Sequence, residues 1–132
     1  MLLIDTHVLV WLDAGSPALG ASARARIDEA LFRQSLLVSA ISFWEIAMLM
    51  AKQRLTLKMS PDTWRKELLA GGLLELPVDG DIGIAAGGLP DFHGDPADRI
   101  IAASALLRGA TLVTADKKML VWPRIETIDA ER

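Results

Sequence analysis

Leu36-Leu37-Val38-Ser39-Ala40-Ile41-Ser42-Phe43-Trp44-Glu45 contains the change of period that decides the fold. Leu36 to Ile41 is a short continuous apolar run, the pattern of a strand buried on both faces. Ser42-Phe43-Trp44-Glu45 then matches a capping box, with Ser at the N-cap and Glu three residues on. A helix is expected to start there and to run to about Gln53. The same alternation continues outward in both directions. Upstream, Leu2 to Ile4 reads as a strand ended by Asp5-Thr6, and Thr6 to Leu12 as a short helix closed by Asp13-Ala14-Gly15-Ser16-Pro17. A second helix fits Ala18 to Arg33, with Leu19, Ala23, Ile27, Ala30 and Leu31 on one face. Downstream, Ser60-Pro61 opens a helix that Gly71-Gly72 closes. Leu73 to Val78 is a third strand, and Asp79 to Leu89 a weak helix diluted by glycine. Asp95-Pro96 opens a strong helix, Ala97 to Arg108, with Gly109 at its cap. Thr111 to Thr114 and Ile125 to Ile128 supply the fourth and fifth strands. Strands alternating with helices specify one three-layer α/β/α domain over residues 1–132, with a mostly parallel central sheet of about five strands.

Composition narrows the function. The 132 residues are 52% hydrophobic and 23% charged, which excludes a disordered chain. A chain of this length buries roughly two-thirds of its unfolded surface, enough for a core without staples. The absence of Cys excludes a disulfide scaffold, a zinc ribbon and thiol catalysis. Fourteen basic against seventeen acidic residues give a net charge of −3, which excludes a polycationic nucleic-acid binder. It leaves room for nucleic acid approached through a bound cation. Met1 to Ile4 runs straight into Asp5, unlike a secretory signal. The apolar stretch Leu36 to Ala51 contains Glu45 and falls short of the about 20 residues of a membrane span. A soluble cytoplasmic protein with no membrane partner is expected. No P-loop or Gly-x-Gly-x-x-Gly is present, which argues against nucleotide-cofactor enzymes.

In a parallel α/β domain the carboxyl ends of strands and the amino ends of helices share one edge, where ligands bind. Asp5 directly follows strand one, and Asp116 directly follows strand four. Glu45 and Asp98 fall in the first turns of helices. Each has an ordinary explanation. Asp5 can cap a turn, Glu45 can complete the capping box, Asp98 suits a helix dipole, and Asp116 suits a turn. Together they bring four carboxylates to one edge. Converging carboxylates repel and resist desolvation unless a cation neutralises them. Oxygen ligands without His or Cys at zinc spacing select Mg²⁺ or Mn²⁺, and the matching chemistry is phosphodiester hydrolysis.

Leu3-Ile4-Asp5-Thr6, Ser42-x-x-Glu45, His93-Gly94-Asp95-Pro96-Ala97-Asp98-Arg99 and Leu112-Val113-Thr114-Ala115-Asp116 follow in an order that resembles the PIN-domain ribonucleases. More closely, the chain is similar to the VapC toxins of bacterial toxin–antitoxin pairs, over essentially its whole length. The resemblance implies a metal-dependent endoribonuclease acting on RNA such as tRNA. It carries Asp5, Glu45, Asp98 and Asp116 over as the catalytic, metal-binding acids, with Thr114 as a supporting hydroxyl and Asp95 as a nearby acid. It further implies a homodimer held in check by a small VapB-like antitoxin.

The remaining polar residues near these motifs are read more plainly. His7 and His93 are taken as hydrogen-bonded structural residues rather than as a base or metal ligand. Arg99 is either a phosphate contact or the partner of Asp95. Lys117 and Lys118 are turn lysines or contacts to the RNA backbone. Lys52, Arg54 and Lys58 belong to a solvated helix end. Of Trp11, Trp44, Trp64 and Trp122, most belong in the core or a dimer interface; Trp11 or Trp44, if exposed, would mark a groove for an antitoxin helix. Two other classes compete. A receiver-like Mg²⁺-binding signalling domain needs paired acids after strand one, but Ile4 precedes Asp5. An Asp-x-Asp phosphatase fails at His7. A catalytically inactive interaction module of the same fold is the remaining alternative.

Overall fold

Leu2, Leu3 and Ile4 are all buried, because the strand they form lies in the middle of the sheet. The computed structural model describes residues 1–132. Strands β1 (Leu2–Ile4), β2 (Leu36–Ser39), β3 (Leu74–Leu76), β4 (Thr111–Thr114) and β5 (Thr127–Asp129) form one sheet in the order β3-β2-β1-β4-β5. Every pairing is parallel, with Leu2 opposite Leu36 on one side and opposite Thr111 on the other. The helices are α1 (Thr6–Ala14), α2 (Ala21–Phe32), α3 (Ala40–Ala51), α4 (Pro61–Ala70), α5 (Gly80–Gly87), α6 (Pro96–Arg108) and α7 (Lys117–Leu120).

Alternate residues of the central strands enter different cores. Leu2, Ile4 and Val38 pack with Val8 and Leu9 of α1, Ala23 and Ile27 of α2, Ile46 of α3 and Trp64 of α4. Leu3, Leu37 and Leu112 pack on the opposite face with Ile101 and Ala105 of α6 and Met119 of α7. Both faces are therefore covered, which is why the strands read as unbroken apolar runs. Fully burying a Leu or Ile side chain contributes about 1.5–3 kcal/mol, so these short strands are held by their two cores more than by their length.

The expected elements are all present, with shifted boundaries. Strand β2 stops at Ser39 rather than Ile41, because its partner β1 ends at Ile4, opposite Val38. The Ser39 hydroxyl then accepts the amide of Ile41 and caps α3. Ser42 is thus inside the helix, and the expected capping box does not form. Helix α2 starts at Ala21 rather than Ala18, because the Gly20 amide is taken by the Ala130 carbonyl. Helix α1 runs two residues past Leu12 before Gly15 closes it in the left-handed region at φ 63°. The glycine-diluted segment does form a helix, α5, capped by Asp79. Helix α7 was not expected. Asp116 starts it by accepting the amides of Lys118 and Met119. No helix is long and apolar enough to cross a membrane.

The chain runs from β1 outward through β2 to β3, then returns to lay β4 on the other side of β1. The direction of strand order therefore reverses between β1 and β4. A crevice at such a reversal, outside the carboxyl ends of the strands, is where open α/β sheets take ligands. The order also differs from the 2-1-3-4-5 arrangement of receiver domains, which removes that alternative.

Candidate active site

Asp5 leaves β1 at the reversal point and is 6% exposed. Its Oδ1 accepts the amide of Thr6, capping α1, and its Oδ2 accepts the hydroxyl of Thr114 at 2.7 Å. Thr114 ends β4, is wholly buried, and also accepts the Asp116 amide at 3.0 Å. One hydroxyl thus joins the two strands across the crevice and fixes the spacing of Asp5 and Asp116.

Glu45 comes from α3, one turn later than a capping-box glutamate would. Its Oε1 accepts the Thr6 hydroxyl at 2.6 Å. Thr6 Oγ1 also lies 2.8 Å from Ser42 Oγ. Its single proton goes to the carboxylate, so Ser42 supplies the proton of the second contact. Ser42 therefore supports Glu45 through Thr6 and plays no part in capping.

Asp98 is the third residue of α6. The N-cap there is Asp95, whose Oδ1 accepts the Asp98 amide at 3.0 Å. The Asp98 side chain is consequently free to face the crevice, where His93 Nε2 meets its Oδ2 at 2.8 Å. Asp116 faces the same space from the start of α7. Single ligand atoms of His93, Asp98 and Asp116 all lie within 4.8 Å of one another.

The four expected acids, from four separate segments, line one cleft of about 480 Å³ together with His7, Trp11, Asp95 and Glu131. No Lys or Arg forms an ion pair with any of the four; the only such contact is His93 to Asp98. Burial pushes the Asp5 carboxyl above its ordinary range, against the Thr114 and Thr6 hydrogen bonds. Burial also raises Glu45, and the charges of Asp5, Asp98 and Asp95 add to this. Asp98 rises for the same first reason, with Asp5, Asp95 and Asp116 as its repelling neighbours. The residues fit a divalent cation. The cleft gathers oxygen donors whose charged forms are disfavoured, and no Lys or Arg is paired with them.

One residue takes another place than expected, and one joins the cleft unexpected. Arg99 meets neither Asp95 nor the cleft. Its guanidinium donates to the carbonyls of Ala86, Phe92 and His93 at 2.8, 3.0 and 3.1 Å, so it fastens the α5–α6 connection. Glu131 lines the cleft but drew no notice in the sequence. Applying the carboxyl-edge rule to β5 as well as to β1 and β4 would have found it. The tryptophans divide evenly. Trp64 and Trp122 are core residues, Trp11 lines the cleft, and Trp44 is 53% exposed beside Glu45.

A wholly parallel α/β domain with carboxylates gathered at its strand-order reversal is the class these observations define. The chain belongs to the PIN domain family, whose model matches residues 2–124. It is 34% identical over 119 residues to Ribonuclease VapC22 of Mycobacterium tuberculosis (strain ATCC 25618 / H37Rv), covering 89% of this chain and 88% of that protein. Among solved structures it is similar in fold to VapBC2 from Rickettsia felis bound to a DNA fragment from their promoter. That match has a TM-score of 0.69 at 17% identity and covers 97% of each chain. FitAcB from Neisseria gonorrhoeae matches with a TM-score of 0.67 at 20% identity, over 98% of each chain.

Proposed function

We propose that this chain is a metal-dependent endoribonuclease and the toxin of a VapBC-type pair, with Asp5, Glu45, Asp98 and Asp116 holding Mg²⁺ or Mn²⁺. The observation that carries this reading is the meeting of four carboxylates in one cleft with no Lys or Arg paired to them. The 34% identity to a named ribonuclease of the VapC kind supports the substrate class. Intact acids at all four positions argue against the inactive interaction module.

A bound divalent cation would neutralise phosphate oxygens and lower the pKa of water at the scissile phosphodiester. The protein's own part is to hold rigid donors. Asp5 is pinned by two hydrogen bonds, and Glu45 by the Thr6 hydroxyl. Thr114 keeps Asp5 and Asp116 in step across the β1–β4 crevice. Lys117 and Lys118 border an adjoining hollow with His93, Asp95, Asp98 and Asp116, and would contact the RNA backbone there. RNA, including tRNA, reaches the site in the cytoplasm, and the active form is a homodimer. The partner that silences it is a VapB-like antitoxin whose helix covers exposed Trp44 and the Trp11 wall of the cleft. A solved toxin–antitoxin complex from Klebsiella pneumoniae contains a chain of similar fold, which supports that partner.

The test is cleavage of mixed RNA by wild type, Asp5→Asn and Asp98→Asn in Mg²⁺ or Mn²⁺. A carboxylate that holds metal is worth several kcal/mol of transition-state stabilisation, so either variant loses on the order of a hundredfold. Undiminished cutting in excess chelator overturns the metal mechanism.

A further inference from the structure

His93 is held in place by more contacts than a solvent-facing loop residue needs. Its ring stacks on Phe92 with centroids 4.5 Å apart and planes at 22°. Phe92 in turn meets buried Trp122 edge-on at 5.1 Å, and the Trp122 indole donates to the Pro90 carbonyl. From the other side Arg99 grips the carbonyls of Phe92 and His93, with its guanidinium carbon 5.9 Å from the Phe92 ring centre. Residues 90–93 are thus fastened on both flanks. What this segment delivers to the cleft is one N–H group. His93 Nε2 lies 2.8 Å from Asp98 Oδ2, and an ionised carboxylate only accepts, so Nε2 carries the proton. No protein donor bonds Asp98 Oδ1.

We infer that His93 is a positioning residue. It fixes Oδ2 of Asp98 and so leaves Oδ1, which no protein donor holds, available to a cation. This rests on the metal-binding reading of the cleft given above. The torsion that swings a carboxylate about its Cβ–Cγ bond is broad, so an unheld Asp98 would present its oxygens in many orientations. Partners that orient a metal-ligating side chain are typically worth 10–100-fold in metal affinity or activity. The competing account makes His93 a structural ring whose purpose is to stack on Phe92.

Two substitutions separate these accounts. His93→Phe keeps a ring on Phe92 and removes the donor. His93→Gln removes the ring, yet its amide nitrogen reaches about as far from the backbone as imidazole Nε2 does. The measurement is Mn²⁺ binding by titration calorimetry on the whole protein, beside thermal melts without metal. His93→Phe is expected to melt near wild type and to bind Mn²⁺ about 10–100-fold more weakly. His93→Gln is expected to melt lower and to bind more tightly than His93→Phe. If His93→Phe binds like wild type, or His93→Gln binds no better than His93→Phe, the inference is wrong while the metal site stands. If wild type itself takes up no Mn²⁺, both fall together.

Discussion

Glu45 and Glu75 are both partly buried glutamates, and they are handled in opposite ways. Glu75, on β3, receives a fork from Arg65 of α4, with Nε at 2.6 Å from Oε1 and Nη2 at 2.8 Å from Oε2. Arg65 is itself laid over the Phe43 ring at 5.8 Å. The Arg65 hydrogen bonds hold the Glu75 carboxyl below its ordinary range, despite burial. Glu45 has one neutral hydroxyl, that of Thr6, against burial and three like charges, and its carboxyl is held above the ordinary range. The same residue type is satisfied in one region and left in want of a cation in the other. The chain spends its arginines away from the cleft: Arg65 serves Glu75, and Arg99, next in sequence to Asp98, serves backbone carbonyls. Compensation for the cleft is left to something that comes from solution.

Supplying that cation should produce the largest effect on stability. An ion that binds only the native state adds RT ln(1 + [L]/Kd), about 2.7 kcal/mol at a hundred times Kd. Melting temperature should rise with Mg²⁺ or Mn²⁺ in wild type and rise less in Asp5→Asn. A melt that ignores saturating metal would dissolve the contrast between the two glutamates.

Replacing each glutamate by glutamine sharpens the contrast. Glu45→Gln keeps an acceptor for Thr6 and removes a repelled charge. Without metal it should melt at or slightly above wild type, with RNA cleavage down at least about tenfold, or 1.4 kcal/mol in barrier. Glu75→Gln should do the reverse, melting lower and cutting RNA at the wild-type rate. Equal cleavage by Glu45→Gln and wild type would reduce the acid site to three members.

Helix capping offers a smaller and independent check. Ser39→Ala removes the acceptor for the Ile41 amide and should cost about 1 kcal/mol in a denaturant titration. Glu45→Gln should leave this cap untouched. The expected capping box at Ser42 shows where the sequence misleads. Ser-x-x-Glu is present, but Ala40 and Ile41 suit either a strand end or a helix start, and tertiary pairing decides. Strand β1 offers β2 no partner beyond Val38, a fact invisible in the local string.

What the sequence made legible was the order of elements and the edge to which the acids belong, because buried parallel strands leave unbroken apolar runs. Asp5, Asp98 and Asp116 could be placed from their distance to those runs. Helix α7, with four residues, is too short to leave a periodic signal. The role of Arg99 was hidden because its partners are carbonyl oxygens, which every residue carries. Glu131 was hidden because β5 is half-buried and its end is weakly marked.

The smallest effect is a pH trend. Asp5, Glu45 and Asp98 hold their protons more tightly when folded, so their contribution to stability is complete below the ordinary carboxylate values and lost as pH rises through the raised ones. In chelator, the melting temperature should therefore climb modestly as pH falls from neutral toward the ordinary carboxylate range. Glu75 works in the other direction, but only as pH falls below its ordinary 4.5. With saturating metal, which keeps the acids ionised, the climb should vanish. A trend that persists in metal would assign it to groups outside the cleft.

The pairing of β1 with β4 has a consequence for synthesis. Thr114 and Asp5 touch although they are 109 positions apart, so the central strand of the sheet is made long before one of its two neighbours. At about 5–20 residues per second, a ribosome needs on the order of 5–20 s to produce the intervening chain. Throughout that interval Asp5 has no Thr114 to hold it, no Asp116 beside it and no β1–β4 crevice to line. A chain that stops short of Thr114 therefore lacks the four-acid cleft. Any cutting under the proposed function therefore waits until β4 has been laid beside β1.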